Sequence, residues 1–278
     1  MNTEFFPPDN SVQIYEGDCR EILPTLPADS VNLIVTSPPY AEARKGEYGG
    51  IAHKDYVQWF LPISAELFRV LKPDGTFILN IKENVVNGER STYVLELILA
   101  LRKSGWVGTD ELIWCKRNCY PGKWRNRFRD AWERLLQFNK SRRFAMYQDS
   151  VKVSAAESTK KRRCVSEKDR LPQAPRTRSG LVRTIANCIG RDKVYPSNVL
   201  HLATECGNKK HSAVFPESLP EWFVKLFTVE GDTVLDPFMG SGTTGVVCKR
   251  LHRNFIGIEK VAEYAAAARN RILAVHPV

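Results

Sequence analysis

Eleven residues near the C-terminus constrain this chain most. Val234-Leu235-Asp236-Pro237-Phe238-Met239-Gly240-Ser241-Gly242-Thr243-Thr244 set an apolar strand, an acid, a Gly-x-Gly turn and a helix start in direct succession. Small residues let a backbone approach a ligand closely, and the helix that follows offers unpaired amide donors. A second strand, Asn254-Phe255-Ile256-Gly257-Ile258, ends on Glu259 one βαβ step later, where a carboxylate can take both hydroxyls of a ribose.

The first half of the chain repeats this alternation of short apolar runs and longer amphipathic segments: Val31 to Val35, Tyr56 to Leu71, Thr76 to Ile81, Tyr93 to Leu101, Glu111 to Cys115. The class is therefore α/β. Within the first helix Tyr56, Phe60, Ile63, Leu67 and Leu71 recur at three or four residues and share one face, and Pro73-Asp74-Gly75 is expected to stop it. A chain of 278 residues, 43% hydrophobic, can bury the core of one large domain with an insertion. No run approaches the apolar length of a membrane span, and the first residues lack a basic region followed by a long apolar one, so neither membrane insertion nor a secretory signal is expected. Seven scattered cysteines fit free thiols in a reducing cytoplasm. Cys115, Cys119, Cys164, Cys188, Cys206, His201 and His211 match no zinc spacing, and no metal is expected.

Between the two halves the composition changes. Residues 152 to 193 hold twelve Lys or Arg against four acids, with Pro172, Pro175 and Gly180 and little apolar periodicity. That excess is most of a formal net charge of +10 and suits a polyanionic partner. A solvated linker is the plain alternative. The division read from the sequence is 1–140, a basic region 141–200, and 201–278.

The ligand of the glycine turn is further constrained by charge. Asp236 would repel a pyrophosphate, and the sequence carries no basic residue near the turn, which disfavours a nicotinamide dinucleotide. S-adenosylmethionine, with an ammonium and a sulfonium, fits an acid at the strand end better. A second motif, Thr36-Ser37-Pro38-Pro39-Tyr40, follows the Val31 to Val35 strand directly. Two consecutive prolines fix the backbone and remove two amide donors, leaving carbonyls free to accept. A serine before and an aromatic after can then surround a planar group.

Together these motifs resemble the amino-methyltransferase family of DNA-modifying enzymes, whose catalytic (Asp/Asn/Ser)-Pro-Pro-(Tyr/Phe) motif is here Ser37-Pro38-Pro39-Tyr40. His211-Ser212-Ala213-Val214-Phe215-Pro216 and Arg253 to Glu259 resemble the segments before and after the family's cofactor turn. The catalytic motif precedes the cofactor motif, as in the permuted beta group. The resemblance implies a Rossmann-like methyltransferase fold: a seven-stranded, mostly parallel sheet, antiparallel near Leu135 to Asn139, with Ile14 to Asp18 continuing the sheet beside the Glu259 strand. It implies S-adenosylmethionine held by Asp18, Cys19, Phe215, Asp236, Pro237, Phe238, Gly240, Ser241, Gly242, Thr243 and Glu259. Asp18 would accept from the adenine amino group.

The amino nitrogen of a base is a poor nucleophile because its lone pair is delocalised. Hydrogen bonds to the Ser37 hydroxyl and the Pro38 carbonyl would restore it, with Tyr40 stacking on a base flipped out of the duplex. Serine in the first position resembles the members that modify N4 of cytosine, whereas Asp or Asn resembles those that modify N6 of adenine. A structured-RNA methyltransferase and a catalytically silent DNA-binding scaffold are further alternatives. Carbon-5 chemistry needs a thiolate in a Pro-Cys dipeptide, and none exists. Double-stranded DNA is the expected partner, contacted by Arg125, Arg127, Lys160, Lys161, Arg162, Arg163, Arg176 and Arg178 within two basic regions: the insertion, and the run Lys116, Arg117, Lys123, Arg125, Arg127, Arg129, Arg134. The family also implies a homodimer and a cognate restriction endonuclease as partners, in a prokaryotic or phage-type cytoplasm.

Overall fold

The computed structural model describes residues 11–43, 46, 49–119, 125–155, 192–204 and 215–275. The chain divides into two units, Met1–Tyr147 with Asn198–Val278, and Gln148–Ser197. The larger unit runs β1 (Val12–Glu16), α1 (Cys19–Ile22), β2 (Val31–Thr36), α2 (Tyr56–Val70), β3 (Leu71–Ile81), the hairpin β4 (Val85–Val86) and β5 (Glu89–Arg90), α3 (Tyr93–Lys103), β6 (Val107–Lys116) and β7 (Trp132–Asn139). In the smaller unit β8 (Val153–Ser154) pairs antiparallel with β9 (Lys193–Val194), and the Tyr195 hydroxyl donates to Asp149 at 2.9 Å. The larger unit resumes with β10 (Val199–Leu202), α4 (Ser218–Phe227), β11 (Thr233–Asp236), α5 (Thr243–Arg250), β12 (Asn254–Glu259) and α6 (Ala262–Leu273).

The main sheet has the order β1-β12-β11-β2-β3-β7-β6-β10. Only β7 runs against its neighbours, pairing Phe138 with Phe77 on one side and with Gly108 on the other. The expected seven strands become eight. The addition is β10, which pairs parallel with β6 from Val199↔Ile113 to Leu202↔Lys116. Its four residues sit across the expected 200/201 boundary and lack a strong apolar alternation, so their pairing comes from an open edge on β6 rather than from their own pattern.

β2 illustrates how one strand serves two layers. Ile34 joins Phe77, Leu79, Leu235, Ile256 and Ile258 in the core formed with α2 and α3, while Leu33 and Val35, on the alternate positions, are also fully buried. Tyr56, Phe60, Ile63, Leu67 and Val70 form the buried stripe of α2. The helix ends at Val70, earlier than Pro73-Asp74-Gly75 suggested, because Leu71 is already extended and paired with Val31. The parallel register of β1 on β12, from Val12↔Phe255 to Glu16↔Glu259, brings the first described strand beside the last.

Candidate active site

Thr36, fully buried, is the last residue of β2, and Ser37-Pro38-Pro39-Tyr40 leave the sheet at its carboxyl edge. The Pro39 carbonyl accepts from the hydroxyl of buried Tyr56 at 2.9 Å, which latches the turn to α2. The Tyr40 hydroxyl contacts Glu133 Oε2 at 2.8 Å and Asn80 Oδ1 at 3.4 Å. Asn80 Nδ2 donates to the same Glu133 oxygen at 3.1 Å, and Lys116 Nζ lies 2.5 Å from Glu133 Oε1. A carboxylate paired with lysine can only accept, so Tyr40 must donate to it. With that proton committed, the 3.2 Å contact between Ser37 and Tyr40 is made by Ser37 donating. Ser37 Oγ is left with lone pairs to offer a ligand, which suits acceptance from an amine. Donation from Ser37 to a ring nitrogen would require this chain to break. Burial, and next the Glu133 charge, push the Tyr40 phenol well above its ordinary range, so it stays protonated.

Glu133 and Asn80 were not among the residues singled out in the sequence, and Lys116 was read there as a DNA contact rather than as the partner of Glu133. Asn80 sits inside the apolar run Phe77 to Ile81, and Glu133 near the start of β7; both are buried. A polar residue in the middle of a buried strand is the signal that could have found the first, since such a group needs a partner.

The glycine turn leaves β11 beside this motif. Thr36 donates to Asp236 Oδ1 at 2.7 Å, joining residues 200 apart in the chain. Thr244 donates to Oδ2 at 2.9 Å and the Phe238 amide to Oδ1 at 3.2 Å. Asp236 is thus enclosed, with both oxygens held by the motifs on either side. In that position it braces the glycine loop. Burial pushes its carboxyl up to about 6, against the pull of these hydrogen bonds.

Glu259 ends β12 where expected, and its carboxylate accepts from the Gly240 amide at 2.8 Å and the Val261 amide at 2.9 Å. Gly240 and Gly242 carry φ of 54° and 76°, a backbone that favours glycine. A Cβ on Gly242 would also fall 2.9 Å from Ala268 Cβ and Ile272 Cδ1, whereas one on Gly240 would meet open space. The sequence places no basic residue near this turn, but the fold brings Arg271 from α6, donating to Ser241 Oγ at 3.4 Å and Thr243 Oγ1 at 3.1 Å. Glu217 pairs with Arg271 at 2.7 Å and neutralises it. Phe238 is half-buried against Trp59, with ring centroids 5.9 Å apart, and Phe215 is half-buried before α4.

Asp18 caps α1 through the Arg20 amide at 3.0 Å and is paired with Arg20 at 2.7 Å and Lys260 at 3.4 Å. The Arg20 hydrogen bond leads in pulling its carboxyl far below the usual range, so it stays an acceptor. Cys19 beside it is buried, and that burial pushes its thiol up to about 12. Cys248 is likewise shifted upward by burial, so neither of these two thiols is a ready nucleophile.

Of the expected DNA contacts, Arg125 is exposed and Arg127 pairs with Asp130 at 3.0 Å. Lys160, Lys161, Arg162, Arg163, Arg176 and Arg178, like Lys123 and His211 to Val214, lie outside the described residues. Besides Arg127, two members of the basic run are paired within the chain: Lys116 holds Glu133, and Arg134 pairs with Glu83 at 3.2 Å and with Glu111. Glu133 and Glu111 lie on neighbouring strands and Glu83 just beyond β3, so sequence distance hid these pairings. Among the described residues no group of His, Cys, Asp and Glu could hold a metal, and no helix is long and apolar enough to cross a membrane.

Comparison with known proteins places this geometry. A family model described as DNA methylase, of the N6/N4 type, matches residues 31–270. Type II methyltransferase M.PvuII of Proteus hauseri is 32% identical over 284 residues, covering 94% of this chain and 83% of its own. Type II methyltransferase M.SmaI of Serratia marcescens is 30% identical over 297 residues, with 95% and 91% covered. Among solved structures, the PvuII DNA methyltransferase (cytosine-N4-specific) superposes with a TM-score of 0.72 at 27% identity, covering 96% of this chain and 88% of that one. The Thermus thermophilus protein TTHA0409, complexed with S-adenosyl-L-methionine, shares the fold with a TM-score of 0.61 at 23% identity, over 94% and 92% of the two chains. The chain belongs to the N6/N4 DNA methylase family.

Proposed function

We propose that this enzyme transfers a methyl group from S-adenosylmethionine to the exocyclic N4 amine of cytosine at a specific site in duplex DNA, within a restriction-modification system. The observation that carries the reading is the Thr36–Asp236 hydrogen bond of 2.7 Å, which joins the residue before Ser37 to the acid of the glycine loop. Amine-binding and methyl-donor motifs thereby share one strand edge, as direct displacement requires.

The loop fits the donor. Open space over Gly240, the Glu259 carboxylate beneath it, and the Phe238 ring supply a close backbone approach, a hydroxyl acceptor and an apolar wall. Gly240, Ser241, Gly242, Phe238, Phe215, Glu259, Asp18 and the Cys19 backbone would hold the donor, and Asp236, Pro237 and Thr243 would shape the loop. When bound, S-adenosylmethionine supplies a methyl carbon already activated by a sulfonium.

Ser37 Oγ, with its own proton donated to Tyr40, accepts from the target amine and draws the nitrogen lone pair out of conjugation. The Pro38 carbonyl is the second acceptor, since neither proline carries an amide hydrogen. Transfer leaves the nitrogen with one proton too many. Ser37 Oγ is placed to take it while passing its own proton to Tyr40, whose phenolic proton moves on to Glu133, so the proton ends on the carboxylate held by Lys116.

M.PvuII and M.SmaI are named as Type II methyltransferases, which supports the restriction-modification context and a cognate endonuclease acting on the same site. A soluble cytoplasmic enzyme, with the basic region 141–200 contacting DNA and homodimer formation, completes the reading. Incubation with unmethylated mixed-sequence duplex DNA and S-adenosylmethionine, followed by nucleoside mass spectrometry, is expected to yield N4-methylcytosine. N6-methyladenine would overturn the base assignment while keeping the chemistry, and methylation of structured RNA alone would overturn the substrate.

A further inference from the structure

We infer that Phe128 is the side chain this enzyme inserts into the DNA base stack where the target nucleotide leaves the duplex. The inference rests on the proposed function and adds the group that opens the pair. Phe128 is 95% exposed, far more than any other large apolar side chain among the described residues. A fully exposed aromatic ring set between exposed arginines offers a face on which a nucleic-acid base can stack.

The loop carrying it is braced. Two residues on, Asp130 is engaged by Arg90 at 2.9 Å, Arg127 at 3.0 Å and Lys82 at 3.4 Å. Burial opposes its ionisation, yet these cations hold its carboxyl down at about 2. The Ala131 carbonyl accepts from the Lys116 amide at 2.7 Å where β6 and β7 meet. The ring is therefore presented from a platform anchored to the ends of β3, β5, β6 and β7.

Its position and neighbours choose the partner. Glu133, which holds Tyr40, is five residues along the chain, so the two Cα atoms lie within about 18 Å. A wedge and a base pocket at that separation act on one duplex footprint. Arg125 and Arg129 flank the ring and are exposed. That charge suits phosphates on either side of an opened step and disfavours a second copy of the same basic surface. Apolar side chains that enter a base step unstack it, and an aromatic ring replaces the stacking that the departing base gives up.

Phe128→Ala and Phe128→Trp test the assignment once the methylated site of the parent enzyme is mapped. Each is assayed by nucleoside mass spectrometry on the paired duplex and on the same duplex with an abasic position opposite the target, where opening costs less. Phe128→Ala is expected to lose roughly 10- to 100-fold in methylation rate on the paired duplex. It should recover to within a few-fold of the parent on the abasic duplex, with cofactor affinity unchanged by calorimetry and Phe128→Trp near the parent on both. Parent-like rates for Phe128→Ala on paired DNA would overturn the wedge. So would an equal loss on both duplexes, which marks general affinity or folding. Absence of methyl transfer by the parent itself on every DNA would instead sink the functional reading beneath it.

Discussion

Ser37, Glu133 and Asp236 each make a single contact pattern that can be tested by the smallest change in side chain. Ser37→Ala removes the acceptor for the amine, and methyl transfer should fall to background while calorimetry shows cofactor binding retained; full activity would remove the proposed contact. Glu133→Gln keeps the shape but replaces the oxygen that fixes the direction of the hydroxyl chain. A hydrogen bond to a charged group contributes about 1.5–3 kcal/mol, so kcat should drop roughly 10- to 100-fold with little change in KM for S-adenosylmethionine. Asp236 gives a pH signature. Its carboxyl is raised in the folded state, so its contribution to stability is complete below about 4, the unfolded value, and is lost as pH rises through about 6. Asp236→Asn can be hydrogen-bonded by the same threonines without ionising. In thermal unfolding its stability should gain on that of the parent between about pH 4 and 6 and run parallel above about pH 7.

At the scale of the element, the glycine loop and α5 depend on a left-handed residue at the helix start, Gly242. Gly242→Ala would combine an unfavourable φ with contacts of 2.9 Å to Ala268 and Ile272 and should cost about 1–3 kcal/mol in denaturant unfolding. The strands and helices that flank this loop were legible because their apolar residues repeat at the proper period, as the stripe from Tyr56 to Val70 and the run Phe77 to Ile81 show. β10 was not, because a four-residue edge strand is defined by the partner it finds. The site divides in the same way. Ser37 to Tyr40 and the glycine turn are contiguous, so chain order alone reveals them. Glu133, Asn80, Lys116 and Arg271 reach the site through sheet register and helix packing, and sequence separation conceals them.

For the molecule as a whole, a formal net charge of +10 with pI near 9.3 should make DNA engagement strongly dependent on salt. If about six phosphates are contacted, affinity should fall roughly 10³-fold between about 50 and 200 mM salt, measured by fluorescence anisotropy, while affinity for S-adenosylmethionine changes little. A flat response would locate the positive charge away from the nucleic acid. The order of the sheet has a separate outcome. β1 finds its partner only in β12, and β2 waits for β11, so contacts that close the site span nearly the whole chain. During synthesis, β1 emerges about 240 residues before the strand it pairs with. A nascent chain stalled before β12 therefore carries an unpaired β1 edge and lacks the Glu259 carboxylate that holds the Gly240 amide, and activity begins only once β12 has left the ribosome.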